Sequence, residues 1–145
     1  MPVNLPASYE QYLGMPLCTV PSPEDRYDPW EGFCLKPFLD SVDKIGITMD
    51  VVYASDKYRS GFFVPAIERS LSRIDKAKSA IQEVSSRQLD DQWSPIQVME
   101  HGRLKNRLFV SMDSDAKTIT YRSQDGSEHT VRYDDGQVKL DWRLD

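Results

Sequence analysis

Residues 30–54 read WEGFCLKPFLDSVDKIGITMDVVYA, and this stretch decides the fold class. The run 47–54 is rich in β-branched and aromatic residues, which predicts a buried strand. Gly46, immediately before it, is a typical helix stop. The residues upstream of Gly46 repeat near the 3.6-residue helical period: Phe33, Phe38, Leu39, Val42 and Ile45. A helix followed directly by a strand indicates an α/β unit.

The start of this helix is marked by Asp28 and Pro29, an N-cap residue followed by a proline suited to the first helical position. Pro37 lies inside the helical pattern, where it removes one backbone hydrogen bond and predicts a kink or a split. Upstream, the chain is rich in proline, which favours extended or looped backbone. Only a short helix over 9–13, capped by Ser8, is predicted there.

A second helical pattern follows the strand. Ser60 is its expected N-cap, and Pro65 is expected near its first turn. The pattern predicts one long helix whose apolar stripe forms a core face and consists of Ile67, Leu71, Ile74, Ala77, Ile81 and Val84.

From Trp93 onward the apolar period changes from 3.6 to 2, which predicts strands. Asp- and Gly-containing turns separate them, so the simplest arrangement is a small antiparallel meander. The predicted fold class is therefore α/β (α+β), a helix-strand-helix portion followed by β structure. The five candidate strands centre on Ile96 and Val98; Leu108, Val110 and Met112; Ile119 and Tyr121; Val131 and Tyr133; and Val138, Leu140 and Trp142.

Composition narrows the class of protein. Hydrophobic residues make up 39% and charged residues 28% of the chain, and no apolar run is long enough to cross a bilayer. We therefore expect a soluble protein without membrane contact, and, because the first residues lack a secretory pattern, a cytoplasmic one. The net charge of −5 argues against nucleic-acid binding over the whole surface and leaves room for a local basic patch.

A search for chemistry finds no phosphate-binding glycine loop and no nucleophile elbow. Cys18 and Cys34 are too few and too far apart for a disulfide framework and are interpreted as reduced thiols. His101 and His129 both flank predicted turns. The chain is therefore expected to contain no catalytic residue and no metal ligand of its own.

Several segments, in one order, resemble class I lysyl-tRNA synthetases. The strongest are PFLDSVDKIGI over 37–47 and YASDKYRSG over 53–61. GMPL over 14–17 precedes them, and AIERSL over 66–71 and GQVKLDWRLD over 136–145 follow. The resemblance covers nearly the whole chain.

The resemblance implies a parent enzyme that joins lysine to tRNA-Lys with ATP and Mg²⁺. Residues 1–60 would be the C-terminal part of its first Rossmann half, and residues 61–145 its connective insertion, which supports the tRNA acceptor end. The family's His-x-Gly-His-type and Lys-Met-Ser-Lys-Ser-type ATP motifs are both missing from these residues. The chain alone is therefore expected to be inactive.

The resemblance also bears on metal content. Many relatives carry Cys-x-x-Cys zinc knuckles in the insertion, whereas the comparable turns here, 98–102 and 122–126, contain no cysteine. His101 and His129 do not make a four-ligand site, so zinc is expected to be absent. Hairpin packing is expected to replace the metal through Leu108, Val110, Ile119, Tyr121 and Val131.

Lys57, Tyr58 and Arg59 follow the predicted strand at its carboxyl end, where open α/β sheets bind ligands, so they are the candidates for contacting substrate or tRNA. The alternative interpretation is structural: Ser60–Gly61 caps a helix, Tyr58 belongs to the core, and the two cations are solvated. We also expect the strand, lacking its sheet neighbours, to promote self-association. Two rival functions are a free-standing, non-catalytic module that binds tRNA or protein and, with weaker support, a hydrolase of mischarged tRNA.

Overall fold

The predicted first helix is present as α1, Trp30–Lys44. It belongs to a computed structural model that describes residues 7–24, 29–86, 88–91, 93–141 and 144. The helix runs through Pro37, so the expected split does not occur; the ring removes one N–H donor, while the Ser41 hydroxyl donates to the Pro37 carbonyl at 2.7 Å. Pro29 is the N-cap and not the first helical residue. The predicted cap Asp28 lies outside the described residues.

Gly46 ends α1, as predicted. Its N–H donates to the Asp43 carbonyl at 2.9 Å, and the Ile47 N–H donates to the Val42 carbonyl at 3.2 Å. This pair of bonds is the Schellman motif, which needs a residue with positive φ, and Gly46 has φ +77°.

The chain divides into two compact units, Met1–Val52 and Tyr53–Asp145. In the first, 3-10 helices at Ala7–Tyr12 and Leu17–Thr19 take the place of the short helix expected over 9–13. Trp30 is buried there, and its N–H donates to the Val20 carbonyl at 2.8 Å. Aromatic packing against Trp30 therefore holds this proline-rich segment to α1.

The strand predicted over 47–54 is not formed. Residues 47–53 lie outside any strand, and the next helix, α2, is Ala54–Arg59. A strand needs a hydrogen-bonding neighbour, and no described segment of this chain pairs with 47–53. The apolar side chains of the segment are consequently exposed, with Val52 68% and Ile47 52% accessible.

Among the described residues, two helices replace the single long one that was predicted after Ser60: α3, Val64–Leu71, and α4, Ile74–Ser85. The short helix α2, Ala54–Arg59, precedes Ser60 and was not predicted. Ser60 is the C-cap of α2 and not the N-cap of a long helix. Pro65 lies in the first turn of α3, as expected.

The break between α3 and α4 falls at Arg73, whose φ of −138° and ψ of 37° are not helical. Of the predicted stripe, Ile67, Leu71 and Ile81 are buried, whereas Val84 is 88% exposed. The change of direction at Arg73 explains this difference, because the two helices no longer share one continuous face.

In the part of the chain that the structure describes, six strands form two antiparallel sheets, where five strands in a meander were expected. Sheet A has the order β2-β1-β6, and sheet B has the meander order β3-β4-β5. The short, polar strand β2 was missed because it lacks apolar alternation. The strands are β1, Ile96–Glu100; β2, Arg103–Asn106; β3, Leu108–Asp113; β4, Thr118–Arg122; β5, Glu128–Arg132; and β6, Val138–Leu140.

The core of the second unit lies under both sheets and α3. Its buried residues are Tyr58, Ile67, Leu71, Ile96, Val98, Ile119, Tyr121, Tyr133, Val138 and Leu140. Val110 was expected to pack inward, but the register between β3 and β4 shifts at this residue, and Val110 is 38% exposed. Because a one-residue bulge reverses the faces of a strand, Phe109 packs against the core instead.

Candidate functional site

Tyr58, the middle residue of the predicted site, is a core residue and 6% exposed. Its hydroxyl oxygen accepts a hydrogen bond from the Leu140 N–H at 3.1 Å, and its ring stacks on Phe63 with centroids 4.3 Å apart. Tyr58 therefore anchors α2 to strand β6.

Lys57 and Arg59 flank Tyr58 on α2. Lys57 Nζ lies 4.9 Å from the centroid of the Phe62 ring, a cation–π contact. Arg59 pairs with Asp56 at 3.6 Å, and both side chains are more than half exposed. Residues two positions apart on a helix do not face each other, so the structure does not bring these two cations into one patch.

Glu68 on α3 joins that helix to sheet B. The Tyr133 hydroxyl donates to Glu68 Oε1 at 2.7 Å, and Lys117 Nζ donates to the same oxygen at 2.8 Å. The hydrogen bond from Lys117, followed by that from Tyr133, lowers the pKa of Glu68, while burial and then Glu68 raise the pKa of Tyr133. All three groups are mutually satisfied, which indicates a structural role.

A solvent-open cleft of about 550 Å³ lies elsewhere in the second unit. Its walls come from three separate parts of the chain: residues 90, 93 and 94 before β1, residues 106–108 at the ends of β2 and β3, and residues 122–124 and 126 at the turn between β4 and β5. The lining is mixed in polarity and includes Trp93, Ser94, Asn106, Arg107, Arg122 and Gln124.

One wall of the cleft contains a mostly buried ion pair between Arg107 and Glu100. Arg107 Nε donates to Glu100 Oε1 at 2.8 Å and Nη2 donates to Oε2, so the contact is bidentate. Hydrogen bonding from Arg107 lowers the pKa of Glu100, and the same bond raises the pKa of Arg107. The Ser123 hydroxyl adds a longer bond to Glu100 at 3.4 Å. The charge of Arg107 is thus already balanced.

Two polar atoms beside this cleft have no hydrogen-bond partner among the described residues. They are the indole nitrogen Trp93 Nε1 and the hydroxyl oxygen of Ser94, both in buried positions. Ser94 as a whole is only 7% exposed. Buried polar atoms are nearly always hydrogen-bonded, so these two atoms are exceptions among the described residues.

The turn between β4 and β5 holds a contact that sequence reasoning did not find. Ser127 Oγ lies 2.8 Å from His129 Nε2 and donates to Asp125 Oδ1 at 2.6 Å. That bond to Asp125 lowers the carboxyl pKa of Asp125. Because the single hydroxyl proton goes to the carboxylate, Nε2 of His129 must donate and is not placed as a base. All three residues are exposed, so this is turn chemistry and not a nucleophilic triad.

Metal-ligating groups are scattered. Within the part of the chain that the structure describes, no three His, Cys, Asp or Glu side chains gather in a way that would hold a metal ion. Cys18 and Cys34 are not joined in a disulfide. In the same residues, no helix is long and apolar enough to cross a membrane.

The cleft could not be predicted from the sequence. Its three stretches are separated along the chain, and none contains a motif. The one available signal was Trp93, a large aromatic residue at the point where the apolar period changes. Its unsatisfied nitrogen appears only once the fold is known.

Comparison with known proteins bears on the chain as a whole. It is 33% identical over 144 residues to the lysine–tRNA ligase of Methanocaldococcus jannaschii, which covers 97% of this chain and 27% of that protein. It is 35% identical over 143 residues to the lysine–tRNA ligase of Archaeoglobus fulgidus, with 97% of this chain and 28% of the relative covered. The lysine–tRNA ligase of Pyrococcus horikoshii is 29% identical over 149 residues, covering 100% of this chain and 28% of its own.

The chain thus spans little more than a quarter of the length of the curated relatives that it matches. A family model described as "tRNA synthetases class I (K)" matches residues 1–145. The resemblance found in the sequence motifs is therefore confirmed over the full chain, and the chain belongs to the class I (K) family of tRNA synthetases.

Proposed function

We propose that this chain is a segment of a lysine–tRNA ligase, which uses ATP to attach lysine to tRNA-Lys, and that the segment supports the acceptor end of the tRNA. The observation that carries the proposal is the family match over all 145 residues, together with relatives named lysine–tRNA ligase. A cytoplasmic location without membrane contact belongs to the same proposal.

In this proposal the segment supports the tRNA and contributes no catalytic residue. It has neither ATP motif of the family, and no catalytic residue is assigned to it. ATP, Mg²⁺ and lysine are therefore assigned to the rest of the enzyme. Residues 1–60 form the end of the first Rossmann half in this proposal, and residues 61–145 form the connective insertion.

Lys57 and Arg59 are the proposed contacts with substrate or tRNA, and Tyr58 positions them. The Tyr58 hydroxyl accepts a hydrogen bond from the Leu140 N–H, and its ring stacks on Phe63; these core contacts fix the position of α2. Arg59 forms an exposed ion pair with Asp56, and a phosphate can replace this pair at little cost because exposed pairs contribute about 0–1 kcal/mol.

The test is a tRNA-binding titration of the 145-residue chain across salt concentrations. Phosphate contacts release counterions, so affinity should fall steeply as salt rises, and Arg59→Gln should make the slope shallower by about one contact. Arg69→Gln, an exposed arginine on α3, is the control. Absence of tRNA binding at low salt would contradict the supporting role.

Catalysis is tested separately, on the complete protein of which this segment is proposed to be part. ATP-dependent lysylation of tRNA-Lys is expected there, and Lys57→Gln or Arg59→Gln should raise the KM for tRNA or lysine. Binding of tRNA without any lysylation would favour the free-standing module instead.

A further inference from the structure

The sequence contains an aspartate followed directly by a glycine at two places, Asp125-Gly126 and Asp135-Gly136. Both pairs lie in connections between strands, the first between β4 and β5 and the second between β5 and β6. The two glycines have nearly the same left-handed backbone, with φ +86° and +88°. The chain thus carries the same reactive dipeptide twice, in two different surroundings.

An aspartate before a glycine can rearrange its own backbone, because glycine has no side chain to shield the amide nitrogen. That nitrogen attacks the side-chain carboxyl carbon and forms a C–N bond, and the amide proton leaves with the carboxyl hydroxyl as water. The product is a five-membered succinimide ring. Water then opens the ring. If it breaks the bond between the nitrogen and the former main-chain carbonyl carbon, the main chain runs through the side chain as isoaspartate; if it breaks the new bond, aspartate is restored.

At the first pair, hydrogen bonds occupy both reacting groups. The Gly126 N–H, which contains the attacking nitrogen, donates to the Ser123 carbonyl at 3.0 Å. Asp125 Oδ1 accepts hydrogen bonds from the Ser127 hydroxyl at 2.6 Å and from the Ser127 N–H at 3.0 Å. These two bonds, the hydroxyl's first, lower the pKa of Asp125 and keep its carboxyl charged. A charged carboxylate is a poor target for a nucleophile.

At the second pair, only the carboxyl is engaged. Asp135 Oδ1 accepts a hydrogen bond from the Gln137 N–H at 3.1 Å, which turns the carboxyl towards the peptide that follows it. No described residue accepts a hydrogen bond from the Gly136 N–H, and no backbone hydrogen bond between described residues closes the bend 133–137. Asp135 is also exposed to water. The attacking nitrogen therefore has no hydrogen bond to a described residue that it must break first.

The second pair lies where the chain passes from sheet B to sheet A. The neighbouring Gln137 carbonyl accepts a hydrogen bond from the Met99 N–H of β1 at 2.8 Å. Arg59 lies so close that a Cβ added to Gly136 would be 3.1 Å from Arg59 Cγ. Isoaspartate adds one atom to the main chain of this connection, where there is little room for it. The rearrangement should therefore strain the connection between the two sheets.

We propose that Asp135 is the site at which this chain converts to isoaspartate, and that the fold protects Asp125 from the same reaction. The reaction requires only water beyond the chain itself. It involves no tRNA, ATP or metal, so it is independent of the proposed function.

The test is incubation of the 145-residue chain at neutral pH, both folded and in concentrated urea, followed by digestion. Trypsin cleaves after Arg122, Arg132 and Lys139, so the two pairs appear on separate peptides, 123–132 and 133–139. Isomerisation leaves the mass unchanged. Isoaspartate is therefore counted by methylation with an isoaspartyl methyltransferase and located by electron-transfer fragmentation of each peptide.

In the folded chain, isoaspartate should form at Asp135 about 2- to 10-fold faster than at Asp125, the factor that one ordinary hydrogen bond contributes. In urea, the two rates should become equal, because both dipeptides are then free of the fold. Aged folded chain should also unfold at a lower temperature than fresh chain.

Variants assign the cause. Ser127→Ala removes the hydroxyl bond to Asp125, so it should speed isomerisation at Asp125 in the folded chain and leave Asp135 unchanged. Asp135→Glu is the control, because the longer side chain closes a ring far more slowly. Peptide 133–139 of that variant should lose its isoaspartate, and its unfolding temperature should not fall with age.

Three results would overturn the proposal: isoaspartate at Asp125 as fast as at Asp135 in the folded chain, no isoaspartate at Asp135 in the folded chain over a time in which the urea-treated chain forms it, or a difference between the two sites that persists in urea. The last result would assign the difference to the neighbouring residue types and not to the fold. An unchanged rate at Asp125 in Ser127→Ala would contradict the protective role of that hydroxyl.

Discussion

At the scale of single residues, Ser94 is one of two described residues with a buried side-chain polar atom that lacks a hydrogen-bond partner. Its hydroxyl is buried without a partner, a state that costs about 1–3 kcal/mol. Ser94→Ala removes that cost, so the free energy of unfolding in urea should stay level or rise by up to about 1 kcal/mol.

Ser123→Ala is the comparison for this prediction. Ser123 lines the same cleft, but its hydroxyl donates to Glu100. The alanine variant should lower the free energy of unfolding by about 0.5–1.5 kcal/mol. A larger loss for Ser94→Ala than for Ser123→Ala would mean that the Ser94 hydroxyl has a protein partner after all.

Glu68 predicts a pH dependence. Its pKa is lowered in the folded chain, chiefly by Lys117 and then by Tyr133. A depressed carboxyl pKa stabilises the fold above the unfolded value, and this stability is lost as pH falls through the folded value. Glu68→Gln should therefore cost about 1 kcal/mol at pH 7, and the cost should shrink below about pH 4.

The cost of Glu68→Gln is measured by urea unfolding of the variant and of the unchanged chain, at pH 7 and again below about pH 4. Glu83→Gln, on the exposed side of α4, controls for the general loss of a carboxylate. A cost for Glu68→Gln that stays constant from neutral to acid pH would show that ionisation of Glu68 does not contribute.

At the scale of elements, α1 has one glycine inside it and a second just beyond its C-cap, and the two have opposite conformational requirements. Gly32 lies inside the helix with no atom within 4 Å of an added Cβ; Gly46 has equally open space but φ +77°. Gly32→Ala should raise the free energy of unfolding by about 0.5–1 kcal/mol, and Gly46→Ala should lower it by about 1 kcal/mol. Thermal unfolding followed by circular dichroism compares the two. Equal effects would contradict the capping role of Gly46.

The exposed apolar segment 47–53 predicts self-association. Ile47 and Val52 are both more than half accessible, and their backbone lies outside any strand. Unpaired β-prone backbone with apolar side chains is a common site of association between chains. Light scattering should show an apparent mass that rises with concentration, and Val52→Lys should reduce the rise. A strict monomer at all concentrations would refute this expectation.

The segment 47–53 also shows the limit of reading elements from sequence. Its β-branched composition predicted a strand, and this prediction was wrong for the chain as described, because a strand exists only through its neighbours and no described segment pairs with it. The prediction of one long helix after Ser60 was wrong for a different reason. Its apolar period continues across Ser72 and Arg73, and nothing in the residue types there marks the break that the structure shows.

At the scale of the whole molecule, the α+β class and the change from helical to strand period at Trp93 were predictable, because periodicity reports burial directly. The pairing of β6 with β1 and the separation into two sheets were not, since pairing depends on contacts between distant residues. For the same reason, the triplet Lys57–Arg59 was found as a sequence motif, whereas the cleft at Trp93 was not.

The absence of zinc remains a whole-molecule prediction. The turns at 98–102 and 122–126 contain no cysteine, and sheet B is already stabilised by buried Ile119 and Tyr121. Elemental analysis of the purified chain should find well under one zinc per molecule, and a chelator should leave thermal unfolding unchanged. Stoichiometric zinc would overturn the prediction.

The position of β6 has a consequence for how the protein is made. Val98 of β1 pairs with Val138 of β6, 40 positions later in the chain. At a translation rate of about 5–20 residues per second, roughly 2–8 s pass between the synthesis of Val98 and that of Val138. The strands of sheet B are synthesised during this interval. During translation, the nascent chain therefore exposes one edge of β1 until residues 138–140 have emerged. That interval is when a chaperone or a premature stop would have its greatest effect.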